Sequence, residues 1–153
     1  MGKYDLVAPC ADYCGGCGQY NGLIVQTAKQ MKEFTLLYGF ELRSAKAFDF
    51  KGFLKGLEWF IENAKCPSCR QGGGPQWCEV KKCCSEKDLH ICFECKDFPC
   101  SKFKEYADPD TMDRYKRFKE IGFEKWFEEQ LQKAKQGYEI HLQKTASLKP
   151  SSF

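Results

Sequence analysis

The sequence contains no uninterrupted apolar run approaching the roughly 18 residues that a membrane-spanning helix requires. Its opening residues, MGKYDLVAPC, also lack the apolar core of a secretion signal. There is no low-complexity tract and no block of like charge, which excludes the usual composition of an extended disordered arm. We therefore expect a globular cytoplasmic protein that does not bind membranes.

Residues that would indicate catalysis are equally scarce. The sequence has two histidines, His90 and His141, and no recognisable set of serine, histidine and acid. The glycine run at 72–74 is not followed by lysine and a hydroxyl residue, so it is not a phosphate-binding loop. The aspartates within 108–113 are typical of a helix start. We predict no catalytic residue and no organic cofactor, which is more typical of a protein that is not an enzyme.

Cysteine, by contrast, is abundant, with 11 residues in a chain of 153. Three form the pattern C-x3-C-x2-C near the start, and eight lie within 66–100, a segment that opens and closes with C-x2-C pairs. Cytosolic thiols stay reduced, so we interpret these residues as metal ligands rather than disulfides. The ten predicted metal ligands are Cys10, Cys14, Cys17, Cys66, Cys69, Cys78, Cys83, Cys92, Cys95 and Cys100.

Two C-x2-C turns can complete one tetrahedral zinc site, because each turn places two thiolates on one side of a tight loop. The predicted zinc quartet is Cys66, Cys69, Cys92 and Cys95. A second site would draw on the six other ligands, whose partition the spacing leaves open. We interpret His90 as a partly exposed loop residue and His141 as a tail residue that takes no part in metal binding.

The same sulfurs also suit iron, because tetrahedral thiolate sites accommodate both zinc and iron–sulfur clusters. The spacing from Cys10 to Cys17 is that of radical S-adenosylmethionine enzymes, but the chain lacks the strand–helix repeats and the length of their barrel. An iron–sulfur cluster, with Cys100 as a remote fourth ligand to the first three cysteines, stays open as the alternative to zinc.

Helical periodicity is the clearest structural signal. Apolar residues recur at helical spacing from Leu23 to Tyr38 and again from Phe50 to Ala64, which predicts two helices with core-facing stripes. Residues 80–86 are predicted to form a short helix that carries two cysteines. Two further helices are expected on either side of Gly122, the first starting at Asp108.

These elements predict a mostly α fold, with a small α+β fold possible, in which helices pack around an irregular, metal-stabilised region with short hairpins. We expect metal bonds to substitute for a hydrophobic core in that region. We assign residues 1–150 to a single cysteine-rich domain. Its parts are a first cysteine loop (1–22), helices (23–64), a metal-binding region (65–103) and C-terminal helices (108–137), and residues 138–153 are assigned separately as a tail.

Several motifs together resemble one known family, the cysteine-rich proteins of domain of unknown function 3795 from anaerobic bacteria and archaea. The matching motifs are the first three cysteines, the CPSC turn with its glycine-rich loop, Cys78-x4-Cys83, the CFECKDFPC ending and IGFEKWFEEQ at 121–130. The resemblance implies a zinc-binding protein without an established activity, in which Cys84 is the extra cysteine. A further C-x2-C found in some members is replaced here by QGYEIHLQKTASLKP.

We predict a protein-interaction module, stabilised by zinc, with an unknown protein partner. The alternative is an iron–sulfur electron carrier or redox sensor. Nucleic-acid binding has weaker support, because the net charge of +3 falls to about −1 if eight thiolates bind two divalent ions. The side chains that would contact nucleic acid are Lys81, Lys82, Lys87 and Lys96, with Trp77 or Phe93 stacking on bases.

Overall fold

The computed structural model describes residues 2–104 and 109–146. These residues form six α-helices and one antiparallel pair of short strands. The helices are α1 (Leu23–Leu37), α2 (Phe40–Ser44), α3 (Phe50–Asn63), α4 (Glu79–Glu86), α5 (Ser101–Lys104) and α6 (Thr111–Lys135). The strands are β1 (Tyr138–Glu139) and β2 (Lys144–Thr145). The prediction of a mostly α fold is confirmed.

The described chain divides into two compact units. One, the cysteine unit, combines residues 2–17 with residues from 66 to 146 and contains all eleven cysteines. The other, the helical unit, is the continuous segment 18–65. The assignment of residues 1–150 to a single domain stays a prediction.

The helical unit consists of α1, α2 and α3, with α1 packed along α3. Lys32 of α1 and Glu58 of α3 form an ion pair at 2.8 Å. Asp49 occupies the N-cap position of α3. The predicted core-facing stripe of α3 is only partly buried: Phe50 is 5% exposed, but Phe60 is 46% exposed. Three helices in 48 residues have too small an interior to cover every apolar side chain.

Residues of the cysteine-rich segment itself form part of the hydrophobic core of the cysteine unit. Phe93 and Trp126 are fully buried, and Phe93 lies between two cysteines of a C-x2-C turn. The ring of Phe93 contacts aromatic rings of α5 and α6, among them Phe103 and Phe118. The expectation that metal bonds replace a hydrophobic core in this region was therefore wrong, since residues between the cysteines supply that core.

Helix α6 bends at Gly122, which has the positive φ of 75° and the extended ψ of 170°. The sequence predicted this break. Arg117 before the bend pairs with Glu129 after it at 2.5 Å, which joins the two halves. The helix begins at Thr111 after Asp110, and the predicted N-cap Asp108 lies outside the described residues. No helix in the described part of the chain, α6 included, combines the length and apolar character needed to cross a bilayer.

Residues 138–145, predicted as part of a tail, form the β1–β2 hairpin. Tyr138 pairs with Thr145, and Glu139 pairs with Lys144. Ile140 in the turn is buried, and its N–H donates to the Gly16 carbonyl at 3.0 Å. The hairpin thereby lies against the first cysteine loop, while residues 147–153 lie outside the described part.

Candidate metal centre

The first C-x2-C turn, called here the first knuckle, runs from Cys66 to Cys69. Ser68 within it is buried and has the strained φ of 104°. The N–H of Gly73 donates to the Ser68 carbonyl at 2.7 Å, which folds the glycine run back over the cysteines. A Cβ on Gly73 would lie 2.4 Å from the Cys66 Sγ, and a Cβ on Gly74 would lie 2.7 Å from the Cys69 Sγ. Only glycine fits this closely against the two sulfurs.

Residues 10–17, which carry the three cysteines of the first cysteine loop, lie beside the first knuckle. The backbone N–H of Cys69 donates to the Cys14 sulfur, and Cys17 and Cys66 lie within electrostatic range of it. Burial, together with the neighbouring sulfurs, raises the pKa of Cys14 to about 12. We call this set the first thiol group. Its members are Cys10, Cys14, Cys17, Cys66, Cys69 and Cys78.

Two other members of the first thiol group show the same effect. The pKa of Cys10 is raised well above its ordinary value, first by burial and then by the Asp12 carboxylate. The pKa of Cys69 is raised by burial and by Cys66, while the Lys81 ammonium opposes the rise. Without a cation these thiols hold their protons. A bound divalent ion would supply the missing positive charge and release those protons.

The second thiol group surrounds the second knuckle, which runs from Cys92 to Cys95. A hydrogen bond between Cys92 and Cys84 lowers the pKa of Cys84 and raises that of Cys92, because one proton serves both sulfurs. Cys95 and Cys100 also lie within electrostatic range of Cys92. The Lys87 ammonium lies 3.5 Å from the Cys95 Sγ. The second thiol group therefore comprises four sulfurs next to one cation.

The structure associates the two knuckles with different cysteines. The quartet that joined them in one site stays a prediction, and the interactions above give each knuckle different cysteine neighbours. Cys84, taken as the extra cysteine of the sequence, is a member of the second group. The sequence feature that could have indicated the burial of Cys84 is its spacing from Val80. Positions i and i+4 share one face of a helix, and both residues are buried. The predicted ligand Cys83 is half-buried on the same helix.

Two arginines hold the cysteine segments in place. Arg114 of α6 is 8% exposed and pairs with Asp12 at 2.8 Å, and the same carboxylate accepts from the Cys10 thiol at 3.3 Å. Arg70, next to the first knuckle, donates to the carbonyls of Tyr4 and His90. Because carbonyls and a carboxylate from distant segments accept hydrogen bonds from these two guanidinium groups, the segments that carry the cysteines are linked to one another.

The carbonyl of Pro9 contacts two members of the second thiol group. The Pro9 oxygen accepts from the backbone N–H of Cys92 at 2.7 Å and lies 3.7 Å from the Cys84 Sγ. Since Cys10 follows directly, one peptide unit connects the surroundings of both groups.

A third cluster lies at the β1–β2 hairpin. Ligand atoms of Cys17, Glu139 and His141 all lie within 4.8 Å of one another, and among the described residues no other trio of metal-ligating side chains does so. A hydrogen bond to Cys17 raises the pKa of His141 to about 9, against the opposing effect of burial. His141, predicted as a tail residue, lies beside Cys17 in the hairpin, and its exclusion from metal binding stays a prediction. No local pattern in the sequence signals this contact, because His141 lies in the turn of the hairpin and reaches Cys17 only through tertiary packing.

The surface predicted to contact nucleic acid differs from the expectation. Phe93 is fully buried and has no free face on which a base could stack, whereas Trp77 is 68% exposed. Lys87 pairs with Asp97 at 2.7 Å, and Lys82 pairs with a glutamate at 3.2 Å. These acidic partners reduce the positive potential that phosphate binding requires. His90 is exposed, as predicted.

Comparisons with known proteins give one match. Neither the curated proteins nor the solved structures contain a match to this chain. A family model matches residues 6–105, a segment that includes every cysteine and more than half of the chain. The protein belongs to the family described as "Protein of unknown function (DUF3795)".

Proposed function

We propose that this protein binds zinc through its first and second thiol groups and acts as a protein-interaction module. One observation carries the zinc proposal: the backbone N–H of Cys69 donates to the Cys14 sulfur, which brings thiols from two distant segments next to each other. Four-coordinate thiolate sites of this kind are structural, because no position is left open for a substrate. The proposal assigns no catalytic step to either group.

The chemistry of the donors supports this proposal. Both groups offer sulfur ligands, and borderline-soft zinc binds thiolate well. Gly73 and Gly74 leave room for the two sulfurs of the first knuckle. The buried hydroxyl of Ser68 makes no hydrogen bond within the described chain, so a donor is available beside these sulfurs when they become thiolates. Cys14, Cys78 and the first knuckle would hold one ion, and Cys84, Cys100 and the second knuckle would hold another.

Zinc would act on stability rather than on chemistry. An ion held by both the first cysteine loop and the first knuckle links two segments that are far apart in sequence. Because the unfolded chain binds the ion more weakly, ligation adds to the free energy of unfolding as the metal concentration exceeds its dissociation constant. We expect chelation to lower the melting temperature of the cysteine unit.

The helical unit supports the interaction part of the proposal. Groups of large apolar side chains that remain exposed to solvent are typical of surfaces that contact another protein. Ten such side chains within residues 18–65 are at least 39% exposed: Met31, Phe34, Leu36, Leu37, Tyr38, Phe40, Leu42, Phe48, Trp59 and Phe60. A protein partner would bury this area and gain roughly 25 cal/mol for each Å² removed from water.

Metal analysis of protein purified without oxygen tests the zinc proposal. Plasma mass spectrometry should find zinc, and the visible spectrum should show no colour. Iron with labile sulfide and visible absorption would replace zinc with an iron–sulfur cluster and make the protein an electron carrier or redox sensor. Retention of full stability after removal of all metal would contradict a structural role.

Two double variants test the partition of the cysteines. Replacing both cysteines of the first knuckle with serine should remove one zinc, replacing both of the second knuckle should remove another, and the losses should add. If both knuckles belonged to the single predicted quartet, either variant would lose the same ion and their combination would lose no more. Adding Cys84→Ser to the second-knuckle variant should cause no further loss, because Cys84 is assigned to the same site.

A further inference from the structure

The hairpin cluster combines three different ligand types in one place. Cys17 offers a sulfur, Glu139 a carboxylate oxygen and His141 an imidazole nitrogen, and these atoms lie within 4.8 Å of one another. The groups that act electrostatically on His141 are Cys17, Asp12 and Glu139, all of which carry negative charge when ionised. Such a cluster has the composition and the charge that attract a divalent cation.

The backbone fixes these side chains with little freedom. Cys17 follows the 3-10 turn Cys14–Gly16, and the Gly16 carbonyl accepts from the N–H of Ile140 at 3.0 Å. A Cβ on Gly16 would lie 2.7 Å from the Ile140 side chain, so the hairpin approaches the loop as closely as only glycine allows. Glu139 and His141 flank Ile140, whose buried side chain and backbone hydrogen bond hold this turn against the loop.

The acidic ligand is buried and oriented. Glu139 is 5% exposed, and one of its oxygens accepts from the backbone N–H of Leu142 at 2.6 Å. A bond of this kind from a neighbouring backbone group is the usual means by which a protein orients a metal-binding carboxylate. His141, by contrast, is exposed, so an ion could reach the cluster from solvent.

We infer that Cys17, Glu139 and His141 form a third metal site that binds a divalent transition-metal ion, with zinc as the preferred ion. Imidazole, thiolate and carboxylate together suit zinc better than they suit magnesium or calcium, which require oxygen ligands. Three protein ligands leave the fourth tetrahedral position to water. This site therefore differs from the two thiol groups in being open to solvent and exchangeable.

The inference goes beyond the proposed function and does not depend on it. The hairpin site takes only Cys17 from the first thiol group, so Cys14, Cys78 and the first knuckle stay available to the zinc ion proposed for that group. The second thiol group is unaffected. The hairpin ion would hold β1 against the first cysteine loop, in addition to the backbone bond of Ile140.

Zinc binding to the full chain and three single variants tests this inference. The variants His141→Asn and Glu139→Gln each remove one ligand, and His90→Asn is the matched control because His90 is the other histidine. Zinc stoichiometry is measured by plasma mass spectrometry after dialysis against buffered zinc, and affinity by competition with a chromophoric chelator. Far-ultraviolet circular dichroism checks that each variant is folded.

We expect both ligand variants to bind one zinc fewer than the wild type, or to bind that ion at least roughly 100-fold more weakly, the upper end of the effect of losing an outer-shell partner. His90→Asn should match the wild type. The difference of one ion is expected whether the thiol groups are filled or empty, so failure of the zinc proposal for those groups would not alter it. Equal stoichiometry and affinity in folded His141→Asn and wild-type protein would overturn the inference.

Discussion

Replacing Phe93 with alanine should lower the free energy of unfolding of the cysteine unit by about 3–5 kcal/mol, the usual cost of removing a fully buried phenylalanine. Phe93 is 0% exposed. Its ring centroid lies 5.0 Å from that of Phe98, 5.3 Å from that of Tyr115 and 6.3 Å from that of Trp126. Both the second knuckle and α6 depend on these contacts, because Phe93 lies between Cys92 and Cys95 and packs on the helix.

Urea denaturation followed by tryptophan fluorescence measures this loss. Trp126 is buried beside Phe93, whereas Trp59 and Trp77 are exposed, so a background with phenylalanine at both exposed positions isolates the signal of the core. Phe34→Ala in the helical unit is the matched control. Phe34 is 54% exposed, and its truncation should change the free energy of unfolding of the cysteine unit by no more than about 0.5 kcal/mol.

Metal content separates packing from ligation in this experiment. The measurement is made on zinc-loaded and zinc-free protein, and the loss from Phe93→Ala should appear in both. A loss below about 1 kcal/mol in the zinc-free protein would refute the argument that residues between the cysteines form the core, since burial in water-free contacts would then contribute little. A loss confined to the zinc-loaded protein would refute it equally, because metal bonds would then account for the effect.

The other predictions concern single side chains. Gly73→Ala should weaken zinc binding about 10-fold or more, because overpacking costs typically 1–3 kcal/mol and its Cβ would crowd a sulfur at 2.4 Å; equal affinity in a chelator competition would contradict this. Gly56→Ala, whose Cβ meets no atom within 4 Å, should instead stabilise α3 by about 0.5–1 kcal/mol in thermal denaturation. Arg114→Leu should lower the free energy of unfolding of the cysteine unit by about 2–3 kcal/mol. This is less than the roughly 3–5 kcal/mol for breaking a fully buried ion pair, because Asp12 is 25% exposed. Adding Asp12→Asn should recover part of the loss, because the carboxylate left without its partner is then removed. Burial and a hydrogen bond to a glutamate raise the pKa of Tyr4 to about 12, so its contribution to stability is complete below about pH 10 and is lost as the pH rises through 12; Tyr4→Phe should flatten the stability profile in this window.

Local patterns in the sequence predicted the helices well. The repeat from Phe50 to Ala64 gave α3, the break at Gly122 appears as the bend of α6, and residues 80–86 lie in α4. These features depend on neighbours within one or two turns. A periodic apolar pattern or a single glycine is therefore enough to predict where such a helix runs or bends.

Burial and ligand partition could not be predicted in the same way. Phe93 occupies a short turn without periodicity, so nothing in its neighbours indicates that its ring points toward α6. The grouping of Cys14 with the first knuckle depends on how separate segments meet, which cysteine spacing does not specify. The contact of His141 with Cys17 requires the hairpin to fold back on the first cysteine loop, and only tertiary packing decides that.

The cysteine unit is discontinuous in sequence, and this has a consequence for its synthesis on the ribosome. Residues 2–17 are translated first, yet Arg70 bonds the Tyr4 carbonyl across 66 residues and Arg114 bonds Asp12 across 102 residues. The helical unit emerges between the two parts and contains its own helices. Contacts of such long range form slowly, because a large loop must close first. If the first thiol group holds a metal as proposed, the ion would be bound late in synthesis, because Cys14 can meet the first knuckle only after residues 66–69 have left the ribosome.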